Sequence, residues 1–224
     1  HMKDGCLYED PALVHFVVEH FPEYVAQQVG TIHLPYQYII SLGLKNISEW
    51  SALTTYLPET NKDAYLLVSP DGVLRENANS GKLLGIIEIK CCSPFHHVPN
   101  EDGTLRWVDN METRQWHKKE DIPFVYLIQM SLQVISCLHR FTDMNDESIV
   151  WFIRWTPNGF SEFRSAFKHL VPVGIIASIM YFRLKTRLTL ENLPMTYDKD
   201  DKFLHTLLIK YFHQAINSFI YDYV

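Results

Sequence analysis

The sequence predicts a mixed α/β (α+β) fold, a central mixed β-sheet flanked by helices. Three observations lead there. Segments with period-2 alternation or β-branched runs recur through the middle of the chain. Amphipathic helical patterns lie before, between and after them. The chain has 224 residues, 47% apolar and 21% charged, which is enough for one sizeable core, so residues 3–224 read as a single domain.

Residues 9–29 read as helix, because Leu13, Phe16, Val17, His20 and Phe21 share a face at helical spacing. Pro22 is a candidate break in it. Residues 31–62 read as irregular, with a short helix after Asn46-Ile47-Ser48-Glu49 as a cap. Residues 64–69 read as a strand, turned by Pro70-Asp71-Gly72, and residues 77–81 as a second turn. Residues 82–91 are β-branched and apolar, a strand buried on most of its surface. Residues 92–121 are polar and aromatic and read as a long loop. Pro123 suits the first turn of a helix reaching about Arg140. Residues 148–155 alternate as a strand, Thr156-Pro157-Asn158-Gly159 turns, and residues 160–167 form the return strand. Residues 171–184 fit helix or strand. Residues 201–221 read as an amphipathic helix with Phe203, Leu204, Leu207, Leu208, Tyr211 and Ile216 inward.

The formal net charge of −6 is not that of a protein that coats nucleic acid. An enzyme that holds DNA locally fits it, provided positive charge concentrates near the site. There are four cysteines, two of them adjacent, which argues against a disulfide framework and for an intracellular, reducing compartment. The longest apolar run, residues 170–182, contains Pro172 and Gly174 and is too short to span a bilayer, so no membrane association is expected. His1-Met2 reads as the remnant of an expression tag, which places the native start and any targeting signal out of view.

The chemistry concentrates in Ser69-Pro70-Asp71-Gly72 and Glu88-Ile89-Lys90. Period-2 geometry puts Glu88 and Lys90 on one face of a strand and Ile87 and Ile89 on the other. Asp71, Glu88 and the backbone carbonyl of Ile89 are candidate ligands for Mg²⁺ or Mn²⁺, which prefer hard oxygen donors. A divalent cation neutralises a phosphodiester's charge and activates the attacking water. Lys90 is suited to orient or deprotonate that water, or to stabilise the transition state. By itself the signature also fits a turn aspartate beside a solvent-facing Glu/Lys pair. Tyr126, Gln129 and Gln133, at i, i+3 and i+7, form a polar stripe on an otherwise apolar helix. Ordinarily such a stripe is the wet face.

Gly5 and Glu9, Pro70-Asp71-Gly72, Glu88-Ile89-Lys90-Cys91 and Tyr126 with Gln129 occur in the order of a known pattern. Over residues 5–165 the chain resembles the phage-type exonuclease family (lambda exonuclease, YqaJ-like viral recombinases) of the PD-(D/E)xK nuclease superfamily. Two departures stand out: Cys92-Ser93 is inserted before Pro94, and the stretch between Lys90 and Gln129 is longer than in compact phage enzymes. The resemblance implies that Asp71 and Glu88 bind the metal and that Lys90 acts on the water. It implies that Glu9 lies near the metal, through water, and that Gln129 positions water or phosphate. It also implies 5′-to-3′ degradation of duplex DNA in recombination or repair, in some relatives by trimers. Tyr126, Arg154, Lys118 and Lys119 are candidate nucleic-acid contacts.

Cys91, Cys92, His96 and His97 do not make a zinc site, because neighbouring strand residues point to opposite faces. Trp107, Trp116 and His117 either stack on bases or pack the loop onto the body. Two other functions fit the same residues: an endonuclease on RNA or structured DNA, and a catalytically silent scaffold for nucleic acid or protein.

Overall fold

The computed structural model describes residues 2–58, 63–76, 81–91, 95–109, 115, 118–156, 158–190 and 199–223, with backbone alone at 2–8, 95–99, 105–109, 187–190, 199–201 and 223. Helix α1 (Met2–His20) leads into strand β1 (Val25–Gln27). Then come β2 (Ile32–Pro35), helices α2 (Tyr36–Asn46) and α3 (Trp50–Leu53), and strands β3 (Tyr65–Val68), β4 (Gly72–Arg75) and β5 (Leu83–Cys91). Strands β6 (Phe95–Pro99) and β7 (Leu105–Asp109) precede α4 (Phe124–Arg140). The chain continues with β8 (Ile149–Thr156), β9 (Gly159–Ala166), α5 (Phe167–Leu190), α6 (Lys199–Ile216) and β10 (Ile220–Tyr223).

The central sheet is mixed, with strand order β1-β4-β5-β8-β9-β10. Strand β5 pairs antiparallel with β4 and parallel with β8, and β8–β9 is an antiparallel hairpin. The parallel β5–β8 step needs a crossover, and α4 lies within it. One face carries Ile87, Ile89, Trp151 and Ile153 against Ala12, Leu13 and Phe16 of α1. The other carries Ile86, Val150 and Phe152 against the layer of α4, α5 and α6. A mixed α/β fold with a central sheet between helical layers is therefore the architecture.

Several elements differ from expectation. Helix α1 ends at His20, and the chain returns as edge strand β1 on β4. Residues 31–62 hold β2 and α2 as well as the short α3. Helix α2 starts after Pro35 with no side-chain cap and no acidic first turn, so its sequence lacks a start signal. Strands β2 and β3 pair outside the central sheet. Residues 92–121 contain the antiparallel hairpin β6–β7 rather than loop alone. The last helix stops at Ile216, and β10 pairs antiparallel with β9. Residues 77–80, Cys92, Ser93 and Pro94, Trp116 and His117, Pro157, and the side chains of His96, His97 and Trp107 lie outside the description.

The ambiguous stretch 171–184 is helix. In α5, Pro172 removes one backbone hydrogen bond near the start. Burial of Val171, Val173, Ile175, Ile176 and Ile179 offsets that loss. The expectation that this apolar run is too short to span a bilayer is corrected accordingly. The window Phe167–Thr186 has a mean hydropathy of 1.3, which passes for a span by length and composition, and 56% of it is buried inside the protein.

Candidate functional site

The site forms where β4 begins beside the end of β5. The last β4–β5 pair is Gly72 with Ile87. Asp71 stands one residue before β4, and its Oδ2 accepts the Ile89 N–H at 2.7 Å. A strand residue turns its N–H and C=O to the same side. The Ile89 carbonyl is thus presented beside Asp71, past the end of the β4 ladder.

Glu88 points from β5 toward α4 and is fully buried. Its Oε1 accepts hydrogen bonds from Lys90 Nζ and from Gln129 Nε2, the latter at 2.6 Å. Its Oε2 accepts Gln133 Nε2 at 2.6 Å. Gln129 and Gln133 are one helical turn apart, so both amides reach one carboxylate. The stripe read as a wet face therefore points inward. Gln133 is fully buried, and its Nε2 also donates to the Ser69 carbonyl at 3.1 Å. Spacing was the available signal: Gln133 shares Gln129's face on an apolar helix. The Lys90 ammonium lies 5.4 Å from the Tyr126 ring centroid, and that ring is 5.6 Å from Phe152. Tyr126 thereby lies against the site's lysine.

Burial pushes the Glu88 carboxyl up to about 7, and the Asp71 charge adds to the rise. The Lys90 charge and hydrogen bond, and the Gln133 hydrogen bond, oppose it. For Lys90, burial works downward, but the Glu88 charge and hydrogen bond, then Asp71 and Tyr126, leave it above its ordinary value. Glu9, on α1, belongs to the same field. Burial raises its carboxyl, Asp71 raises it further, Lys90 opposes, and Asp10 adds a little.

Arg154 is placed differently from the expected phosphate contact. It sits beside Lys90 in the β5–β8 register but is only 1% exposed. Its guanidinium donates to the carbonyls of Lys119 and Asp121 and approaches Asp121 Oδ1 at 3.5 Å. It also lies 5.7 and 5.4 Å from the Phe152 and Phe163 ring centroids. Its head is engaged by the chain segment that leads into α4. Lys118 and Lys119 expose their side chains on that same segment. Cys137 is buried, which pushes its thiol up to about 12 and leaves it unreactive.

Among the described residues no group of three or more His, Cys, Asp or Glu side chains converges to hold a metal ion. Mg²⁺ does not demand such a group, because it takes one or two carboxylates and keeps several waters. Asp71, Glu88 and the Ile89 carbonyl are the candidates for that role here. Each carboxylate oxygen has two lone pairs. Glu88 Oε1 spends both on Lys90 and Gln129, whereas Oε2 spends one on Gln133. The oxygens that could hold such a cation are those of Asp71, Glu88 through Oε2, and the Ile89 carbonyl.

No family model matches the chain, and no curated protein or solved structure matches it significantly.

Proposed function

We propose that the protein is a divalent-metal-dependent nuclease of PD-(D/E)xK type that hydrolyses phosphodiester bonds in DNA. One observation carries the reading: Asp71 is bonded to the Ile89 N–H, between Glu88 and Lys90. A turn aspartate and a solvent-facing Glu/Lys pair would have no reason to meet, yet the Asp71 charge raises the proton affinity of the Glu88 carboxyl across that point. The order of elements adds support: a helix with Glu9, the β4–β5 pair with the signature, a helix with Tyr126 and Gln129, and a hairpin.

When bound, a divalent cation neutralises phosphate charge and makes water a stronger nucleophile. Asp71, Glu88 and the Ile89 carbonyl would hold it. Lys90 donates a hydrogen bond to Glu88, and that neighbouring carboxylate helps to hold its proton affinity above the ordinary value, so it carries charge, which suits it to hold a phosphate oxygen or aim the water rather than act as a base. Gln129 and Gln133 fix the Glu88 rotamer. Glu9 supplies a further acid to the same field.

The test is digestion of 5′- and 3′-labelled duplex, single-stranded and circular DNA with Mn²⁺. Asp71→Ala, Glu88→Ala and Lys90→Ala should each lower cleavage by roughly 10²–10³-fold. Undiminished cleavage by all three removes the assignment. A 5′-to-3′ exonuclease spares circles and releases 5′ label first. Cleavage of circles, or of RNA, marks an endonuclease. Absence of both cleavage and Mn²⁺ binding marks a scaffold.

A further inference from the structure

We infer that Gln133 is the positioning residue that sets the distance between the Asp71 and Glu88 carboxylates and, through it, the site's affinity for a divalent cation. The inference rests on the metal-dependent reading above. Gln133 touches neither substrate nor cation; it acts through the two acids.

The argument comes from where one nitrogen goes. A side-chain amide has two N–H donors. Gln133 spends one on Glu88 Oε2 at 2.6 Å and the other on the Ser69 carbonyl at 3.1 Å. Ser69 lies two residues before Asp71, so the two bonds join the segment carrying one acid to the side chain of the other. On its far side Asp71 is tied to the Ile89 N–H at 2.7 Å. The result is a closed frame, Ser69 to Asp71 to Ile89 to Glu88 to Gln133, in which the acids have little freedom to separate.

Gln129 does not duplicate this. Among the described residues its amide meets only Glu88 Oε1, which Lys90 also holds. Among the described residues Gln133 is the donor on Oε2, the oxygen that keeps a lone pair for a cation. The direction of the amide is fixed as well. Turned over, it would set its one oxygen against both a carboxylate and a carbonyl. Gln133 is fully buried in the core between α4 and the sheet, so it has no water to offer as a substitute partner. Outer partners of this kind commonly change metal affinity by about 10–100-fold.

The experiment uses the full chain and Mn²⁺ alone, read by titration calorimetry and by the thermal midpoint with and without Mn²⁺. Gln133→Met fills the space without donors. Gln133→Asn keeps the amide but stops one methylene short, and serves if the Met variant does not fold. Each folded variant should bind Mn²⁺ about 10–100-fold more weakly and show a smaller Mn²⁺-dependent rise in midpoint. A residue that only fills the core would lower the midpoint and leave the Mn²⁺ affinity alone. Folded variants that match the wild-type affinity overturn the inference and leave the metal reading intact. Wild-type protein that binds no Mn²⁺ overturns the metal reading first and the inference with it.

Discussion

At the scale of single residues, two buried glutamates among the described residues have opposite surroundings. Glu88 has three nitrogen donors. Glu162, on β9, is almost as buried, yet its Oε2 accepts no hydrogen bond. The charged and titratable groups facing it are His20 from α1, with Nδ1 at 3.7 Å, Arg164 at 3.8 Å, and Asp222 from β10. Burial raises the Glu162 carboxyl above its ordinary range; His20 and Arg164 oppose that rise and Asp222 adds to it. A carboxyl whose folded-state pKa is raised binds its proton more tightly folded than unfolded. Its favourable contribution is complete below the unfolded value and is lost as pH rises through the folded one. Glu162→Gln should therefore be more stable than wild type at pH 8 and lose most of that advantage at pH 4.5, as read by urea denaturation. An advantage that does not change with pH would sink this account. Asp71, Glu88, Ile89 and Lys90 were legible in the sequence as a candidate group from residue type and strand period, whereas Tyr126 and Gln129 joined them only through the resemblance to the exonuclease family. The inward turn of Gln133 was not legible, since a polar stripe on a helix reads equally as a wet face. Arg154 was legible as a cation in need of a partner, but the Lys119 and Asp121 carbonyls that engage it depend on how residues 118–121 fold back.

At the scale of elements, the site depends on how closely α4 lies against α5. Gly174 permits that approach: a Cβ there would meet the Ser131 carbonyl oxygen at 2.5 Å. Ser131 lies between Gln129 and Gln133, so whatever moves it moves both amides. Gly174→Ala should destabilise the fold by about 1–3 kcal/mol. It should also weaken Mn²⁺ binding, although Gly174 has no contact with the acids. A denaturation curve that superimposes on wild type would show that the two helices have room to spare. Strands β5, β8 and β9 were readable because alternation or a β-branched run persists for eight or nine residues. Strands β1, β2 and β10 have three or four residues each, too few for a period to show. They exist because a neighbouring strand offers an open edge. Helix α2 carries no start signal for a different reason, the lack of a side-chain cap at Pro35.

At the scale of the whole molecule, the sheet divides two apolar cores and sets the site near the ends of its central strands. Helix α5 is the centre of the larger core, packed by α4, α6 and α2. Its apolarity therefore belongs to packing, and 56% of its most apolar window is already covered. The protein should stay in the aqueous phase when a cloud-point detergent separates. Recovery in the detergent phase would show that α5 leaves the core for lipid. The sequence by itself determined the class of fold, the run of residues proposed to carry the chemistry, and the main amphipathic helices, because these depend on residue type and local period. Tertiary structure alone decided that Asp71 closes on Ile89, that the two glutamines face Glu88, and that Arg154 serves the chain rather than its surface. Those outcomes depend on which strands pair and which helix crosses them, and contacts between segments 18 to 64 residues apart leave no local pattern to read.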